Sequence, residues 1–187
     1  MIEKKISFKM LEKKMANEGV LIIVVPKVGY AKRLVKIVKI VEKQNEKICY
    51  VSANKPRKSL IETFASEGID RKRILVVDCI AGEFGEEGGV AGETIFISTP
   101  KDLTRLSLVI GEVIKSDSDI VFVDSLSTFM LYNPGLTVVR FVHNLISKIR
   151  VLEKRGVFIV LKDDASSDLL NDLCLFVDDV VEIGGAD

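Results

Sequence analysis

Eight residues, PKVGYAKR from Pro26 to Arg33, stand where a chain could hold a phosphate. They follow an apolar run, Val20 to Val25, and lead into an amphipathic segment that starts near Tyr30. A loop between a buried strand and a helix aims backbone N–H groups and the positive end of the helix dipole at an anion. The demanding form of this chemistry is GxxxxGK followed by serine or threonine. Its glycines let the backbone approach, the lysine reaches the outer phosphates and the hydroxyl holds Mg²⁺. With Lys32 placed as that lysine, Pro26 and Ala31 take the glycine positions and Arg33 takes the hydroxyl position. Pro26 has no N–H and a fixed φ. Ala31 puts a methyl group at the point of closest approach, and Arg33 brings a charge but no oxygen for a metal. Gly29 and Lys32 alone fit.

The helix that follows gives Lys32 a second reading. At about 100° per residue, Leu34, Val38 and Val41 share one face, and Lys32, Lys36, Lys39 and Lys43 share the opposite one. Lys32 is then the first member of a solvated lysine stripe. Its place at the helix start still lets it reach a phosphate or sulfate, so both readings stand.

Asp124 closes the apolar run DIVFVD and precedes SLST. A carboxylate there either caps the next turn through those hydroxyls or contacts a metal. Other candidates carry less chemistry. His143 is the single histidine and has no Ser or Cys clearly paired with it. Asp163/Asp164 and Asp178/Asp179 are adjacent pairs, and neighbours on a strand point to opposite sides, so neither pair shares a ligand well. Both read as solvated turns. The stretch AGEFGEEGGVAGE, residues 81–93, holds five glycines and four glutamates and no apolar period. It reads as a mobile surface loop, either a tolerated insertion or a lid or partner contact. Its end, GETIF, imitates a phosphate loop but carries Glu93 in place of lysine and precedes a strand.

The elements that must position these residues alternate along the chain. Strands are expected at Val20–Val25, Lys47–Ser52, Arg73–Asp78, Thr94–Ser98, Asp119–Asp124, Gly156–Leu161 and Asp179–Ile183. Helices are expected at Tyr30 to Gln44, from Pro56 to a glycine stop at Gly68, from Pro100 to about Lys115, and at Leu136 to Lys154. A short one precedes the last strand. Continuously apolar strands separated by helices predict a mainly parallel central sheet covered on both faces, a three-layer α/β/α fold. Residues 1–187 read as a single domain, with 1–18 as a helical extension that covers the sheet or binds a partner.

Bulk composition narrows the function classes. Lys+Arg and Asp+Glu both count 27, and a neutral chain lacks the electrostatic footprint of a nucleic-acid binder. No apolar run is long enough for a membrane span, and the charged N-terminus lacks a signal-peptide core. Cys49, Cys79 and Cys174 lie in apolar runs outside any CxxC pattern, as buried residues of a reduced, cytoplasmic protein would.

Several stretches together resemble one family. SDIVFVDSLSTFMLYN looks like a Walker B strand and its continuation, FVHNLISKIRVLEKRGVFIVLKDD like the helix and strand that follow, and LCLFVDDVVEIG like the closing strand. With KICYVSANKPRKSLIETFASEGID, they resemble the archaeal RecA-superfamily ATPases of the KaiC/Rad55-like type, from about Val20 to Ile183. The resemblance implies a RecA-like P-loop NTPase fold, ATP and Mg²⁺ at the loop–helix junction, and ring or filament assembly. It places Asp124 on Mg²⁺, and a catalytic glutamate after the second strand. The segment there reads YVSANKP, so Asn54 and Lys55 stand in that region without a carboxylate. Neither can take a proton from water as a carboxylate does.

The combined expectation is a non-catalytic RecA/KaiC-like domain, a pseudo-ATPase acting through a protein partner or self-association, with no cofactor and no metal. Gly29, Lys32, Arg33 and Asp124 would be its vestigial nucleotide site. The alternative is a nucleotide-binding ATPase with an atypical phosphate loop, holding ATP and Mg²⁺ and open to completion by a neighbouring subunit.

Overall fold

The computed structural model describes residues 5–81, 94–116, 118–163 and 167–184. The acidic glycine-rich stretch 81–93 lies, apart from Ala81, outside them, as does Asp164. The described strands are β1 (Lys5–Ile6), β2 (Val20–Val25), β3 (Ile48–Ser52), β4 (Ile74–Asp78), β5 (Thr94–Phe96), β6 (Ile120–Asp124), β7 (Arg155–Leu161) and β8 (Asp179–Ile183). They form one sheet in the order β1-β8-β2-β7-β6-β3-β4-β5, and every pairing is parallel. The helices are α1 (Phe8–Asn17), α2 (Tyr30–Gln44), α3 (Arg57–Ser66), α4 (Leu103–Ser116), α5 (Leu126–Tyr132), α6 (Gly135–Val151) and α7 (Ser167–Cys174).

The strand interiors are largely apolar because helices cover both faces of the sheet, and the polar exceptions gather at strand ends. Alternate side chains divide between two cores. Leu21, Ile23, Val25 and Tyr50 pack with Leu11 of α1, Ile37 of α2 and Phe64 of α3. Ile22, Val24, Cys49 and Val51 pack with Ile110 of α4, Phe129 of α5, Leu145 of α6 and Leu173 of α7. The face of α2 that carries Leu34, Ile37, Val38 and Val41 is buried, and each such side chain contributes roughly 1.5–3 kcal/mol. Of the opposite stripe, Lys36 lies 4.8 Å above the Phe8 ring and Lys39 pairs with Glu67 at 2.8 Å. Lys43 sits 3.7 Å from Glu12. These contacts reach from α2 to α1 and to the end of α3, but the ion pairs are half-exposed and worth little, so the stripe is a largely solvated face.

Among the described strands and α-helices, two lie beyond the sequence expectations. β1 is only two residues long and adds to β8, pairing Ile6 with Ile183. α5 turns the serine- and threonine-rich continuation of β6 into a seven-residue helix. The long helix also stops earlier than Lys154. At its end Lys154 N donates to Ile149 O at 2.9 Å and Glu153 N to Arg150 O at 3.0 Å, with Glu153 at φ 54°. That closing turn usually takes glycine. One cysteine expectation fails as well: Cys49 and Cys79 are buried, but Cys174 is exposed. Leu170 and Leu173 use up the inward face of α7 and leave Cys174 on the outward one.

β2 connects through α2 toward β3, over the α1–α3 face, whereas the adjacent strand β7 connects through α7 toward β8, over the other. Neighbouring strands whose connections diverge leave a crevice at their carboxyl ends, the usual ligand position in such sheets. The loop Pro26–Gly29 lies at that crevice.

Candidate functional site

Asp124 ends β6 and is fully buried. Its carboxylate gathers three donors from two parts of the chain, β3 with its continuation and the start of α2. Tyr50 Oη donates to Oδ2 at 2.8 Å. Asn54 Nδ2 donates to Oδ1 at 2.7 Å, and the Tyr30 hydroxyl donates to that same oxygen. Register explains two of them: Ser52 of β3 stands level with Asp124, so Tyr50 lies two residues before that level and Asn54 two beyond. The third comes from the crevice loop. Gly29, at φ 73°, caps α2 in the left-handed region, and Tyr30 as the first helical residue swings over the end of β6.

Packing fixes the direction of these groups. The Tyr50 ring stacks on Phe122 at 5.0 Å and meets Phe64 edge-on at 5.5 Å. Asn54 Oδ1 accepts from the Thr128 hydroxyl, which lies 3.2 Å from Ser125 Oγ. The turn-capping expectation for Asp124 is therefore not met. The hydroxyls of Ser125 and Thr128 engage each other and Asn54, because the tyrosines and Asn54 already converge on the carboxylate.

Burial raises the Asp124 pKa, and the Tyr30, Tyr50 and Asn54 hydrogen bonds together with the nearby Lys55 charge offset this only in part. Burial, then the Asp124 charge, pushes both phenols far above their ordinary range. Tyr30 and Tyr50 therefore remain protonated donors.

The loop closes on its own helix. Arg33 Nη1 donates to Val28 O at 2.5 Å, and Arg33 N to Gly29 O at 3.2 Å. A Cβ placed on Gly29 would meet Arg33 Nη1 at 2.5 Å, so the guanidinium lies directly against the loop backbone. Lys32 is exposed on the first turn of α2, and Ala31 beside it is exposed too. Of the residues singled out from sequence, Gly29 and Arg33 meet in the loop, Asp124 lies beneath Tyr30, and Lys32 points to solvent.

Sequence reasoning missed Tyr30, Tyr50 and a second strand-end carboxylate, Asp78. Asp78 ends β4 in register with Ser52, is fully buried, and accepts from Arg57 N at 2.6 Å, Ile80 N at 2.8 Å and Ala81 N at 3.0 Å. Its signal was present: VVD at the end of β4 matches FVD at the end of β6. The remaining candidates are structural. His143 packs on Phe176 at 4.4 Å. Asp178 holds Gly19 N, Val20 N and Arg150, while Asp179 pairs with Lys14, so the adjacent carboxylates face different partners. Asp163 is exposed. Among the described residues no group of three or more His, Cys, Asp or Glu is placed to hold a metal ion.

A protein-family profile described as a family of unknown function, DUF7504, matches residues 42–183. The chain belongs to that family. The matched part of this DUF7504 chain runs from the last turn of α2 through β8 and so includes Tyr50, Asn54 and Asp124. No protein of curated function matches it. Among solved structures, the KaiC-like protein PH0186 from the hyperthermophilic archaeon Pyrococcus horikoshii OT3 superposes with a TM-score of 0.61 at 12% identity, covering 88% of this chain and 70% of that one. An uncharacterised Pyrococcus horikoshii protein, PH0321, solved in complex with an unknown peptide, superposes with a TM-score of 0.66 at 13% identity, covering 95% and 84%. At these identities the likeness is one of fold. This member of DUF7504 has a KaiC-like, RecA-type α/β fold.

Proposed function

We propose that the protein is a non-hydrolysing RecA/KaiC-like domain, a pseudo-ATPase that works as a regulatory or protein-interaction module. The observation that carries this reading is the engagement of Asp124. For a Mg²⁺-nucleotide, a carboxylate at this strand end must turn its oxygens toward the metal or its water shell. Both oxygens here accept from uncharged donors, and Tyr30 crosses from the loop to reach one of them. Two further features support the reading. The Arg33 guanidinium rests on the loop backbone that a phosphate would approach. Asn54 and Lys55 follow β3 without a carboxylate, and Asn54 is committed to Asp124 and Thr128. As a site for Mg²⁺ and ATP the residues do not fit.

A neighbour of the same fold was solved with an unknown peptide, the kind of interaction this reading assigns to the present chain. The cytoplasm is the proposed location, in keeping with the free thiols of Cys49, Cys79 and Cys174.

The alternative, an ATPase with an atypical loop completed by a neighbouring subunit, draws on Lys32, exposed at the start of α2. Phosphate release separates the two. Wild type and Asp124→Asn are compared with Mg-ATP over a protein concentration series that drives any self-association. Identical background rates are expected at every concentration. Turnover that rises with concentration and vanishes in Asp124→Asn would establish the alternative.

A further inference from the structure

The neutral total conceals a segregation of charge. Residues 1–75 hold 18 Lys and Arg against 8 Asp and Glu, and residues 76–187 hold 9 against 19. The fold turns this division into a spatial one. The basic part supplies α1, α2 and α3, which cover one face of the sheet, while α4 to α7 cover the other. A local excess of one sign attracts a partner of the opposite sign even where the whole chain is neutral.

α1 and α2 lie side by side: Lys36 sits over the Phe8 ring, and Gln44 Nε2 donates to Glu12 O at 2.8 Å. Every exposed charged residue of the two helices is a lysine, namely Lys9, Lys13, Lys32, Lys36 and Lys43. Their two carboxylates are less exposed and have partners. Glu12 lies 3.7 Å from Lys43, and Glu42 accepts from Asp70 N at 3.1 Å. The nearby Glu18, Glu46, Glu67 and Asp70 precede β2, β3 and β4, at the amino ends of the strands. Glu18 pairs with Lys14 and Glu67 with Lys39. Two apolar side chains stand among the lysines. Met10, next to Lys9 and one turn before Lys13, is 47% exposed. Val28, beside exposed Lys27 on the loop into α2, is 86% exposed.

Ammonium groups spread over a helix pair, with apolar tips between them, suit a planar anionic surface. Each charge within a Debye length of the surface adds to binding, and each tip enters the headgroup region. A nucleic-acid duplex fits less well. With α1 beside α2 neither helix can enter a groove alone, and the exposed positions of the pair include no arginine or aromatic ring to read or stack bases.

We propose that the α1–α2 face seats the protein on the surface of an anionic lipid bilayer. The contact is peripheral, since no helix among the described residues is long and apolar enough to cross a membrane. It goes beyond the interaction-module reading and makes no use of the Asp124 cluster. Nucleotide turnover would overturn that reading and leave a result at this face standing.

The test sediments the full chain with vesicles of phosphatidylcholine alone or with about 30% phosphatidylserine, in about 0.1 M salt. The anionic vesicles are expected to bind at least ~10-fold more tightly, and to lose the protein at about 0.5 M salt. Lys9→Glu with Lys13→Glu weakens binding at least ~10-fold, since each lysine near such a surface is worth roughly 5-fold. Lys101→Glu with Lys115→Glu makes the same change of net charge on the α4 side and leaves binding within about 2-fold. All four lysines are exposed, and circular dichroism checks that both variants fold. Met10→Trp gives a second readout, because the chain has no tryptophan. Its indole emission shifts to the blue on anionic vesicles and not on neutral ones. Equal binding to the two vesicles, binding to neither, equal weakening by the two lysine pairs, or an unshifted emission would overturn the proposal. So would tighter binding to a duplex of about 20 base pairs that Lys9→Glu with Lys13→Glu abolishes, since the face would then belong to nucleic acid.

Discussion

Tyr50 Oη lies 2.8 Å from Asp124 Oδ2, and both side chains are fully buried. A carboxylate at the end of β6 is answered by a phenol from inside the adjacent strand, whose ring is locked between Phe64 and Phe122. Tyr50→Phe keeps that ring and removes only the donor. The loss is expected to cost about 1.5–3 kcal/mol, the range for a hydrogen bond to a charged group. Urea denaturation of the two proteins reads it directly, and an unchanged midpoint would show that the hydroxyl does not support the carboxylate.

Titration of Asp124 gives a prediction with a definite sign. Burial raises its folded pKa above the ordinary 3.8, so the folded state holds the proton more tightly than the unfolded chain does. Its contribution is complete below the unfolded value and declines as pH rises through the folded one. Asp124→Asn cannot titrate. The stability of wild type minus that of Asp124→Asn is expected to fall as the pH is stepped from about 4 to about 8. A difference that grows over that interval would reverse the assignment.

Asp78 holds three backbone N–H groups at the mouth of α3 and the end of β4. Asp78→Ala leaves all three without that partner in a buried setting. A loss of about 3 kcal/mol is expected, larger than for Tyr50→Phe because several donors are orphaned together. Thermal and urea unfolding measure it.

The loop yields a paired test. Gly29→Ala meets two obstacles, the left-handed φ of 73° and the Arg33 guanidinium 2.5 Å from the new Cβ. The backbone alone costs roughly 1–2 kcal/mol for a residue with a Cβ. Arg33→Ala in the same chain removes the second obstacle and not the first, so the Gly29→Ala penalty should shrink without vanishing. Full additivity of the two substitutions in a double-mutant cycle would mean that the guanidinium does not rest on the loop.

The sheet was legible because each long strand is a short, bounded apolar run, and Val20–Val25 could hardly be anything else. β1 was not, since two residues carry no period. α5 was hidden by Ser127 and Thr128, which read as part of a turn after Asp124 although Leu126 and Phe129 anchor the helix in the core. The site was legible at Asp124 and at the loop, where residue types depart from a known pattern. Its tyrosines were not. Tyr50 sits in the run ICYVS and looks like one more core residue, and Tyr30 looks like a helix start. Their common partner lies 74 and 94 residues away in sequence, a distance over which no local pattern operates.

The account turns on whether Tyr30, Arg33 and Asn54 have displaced nucleotide chemistry from the crevice. Calorimetric titration of wild type and Lys32→Ala with Mg-ATP and with ADP tests this most directly. The account predicts no micromolar binding to either protein. Micromolar binding of Mg-ATP to wild type that is lost in Lys32→Ala would contradict it, and would return Lys32 to the role of a phosphate ligand.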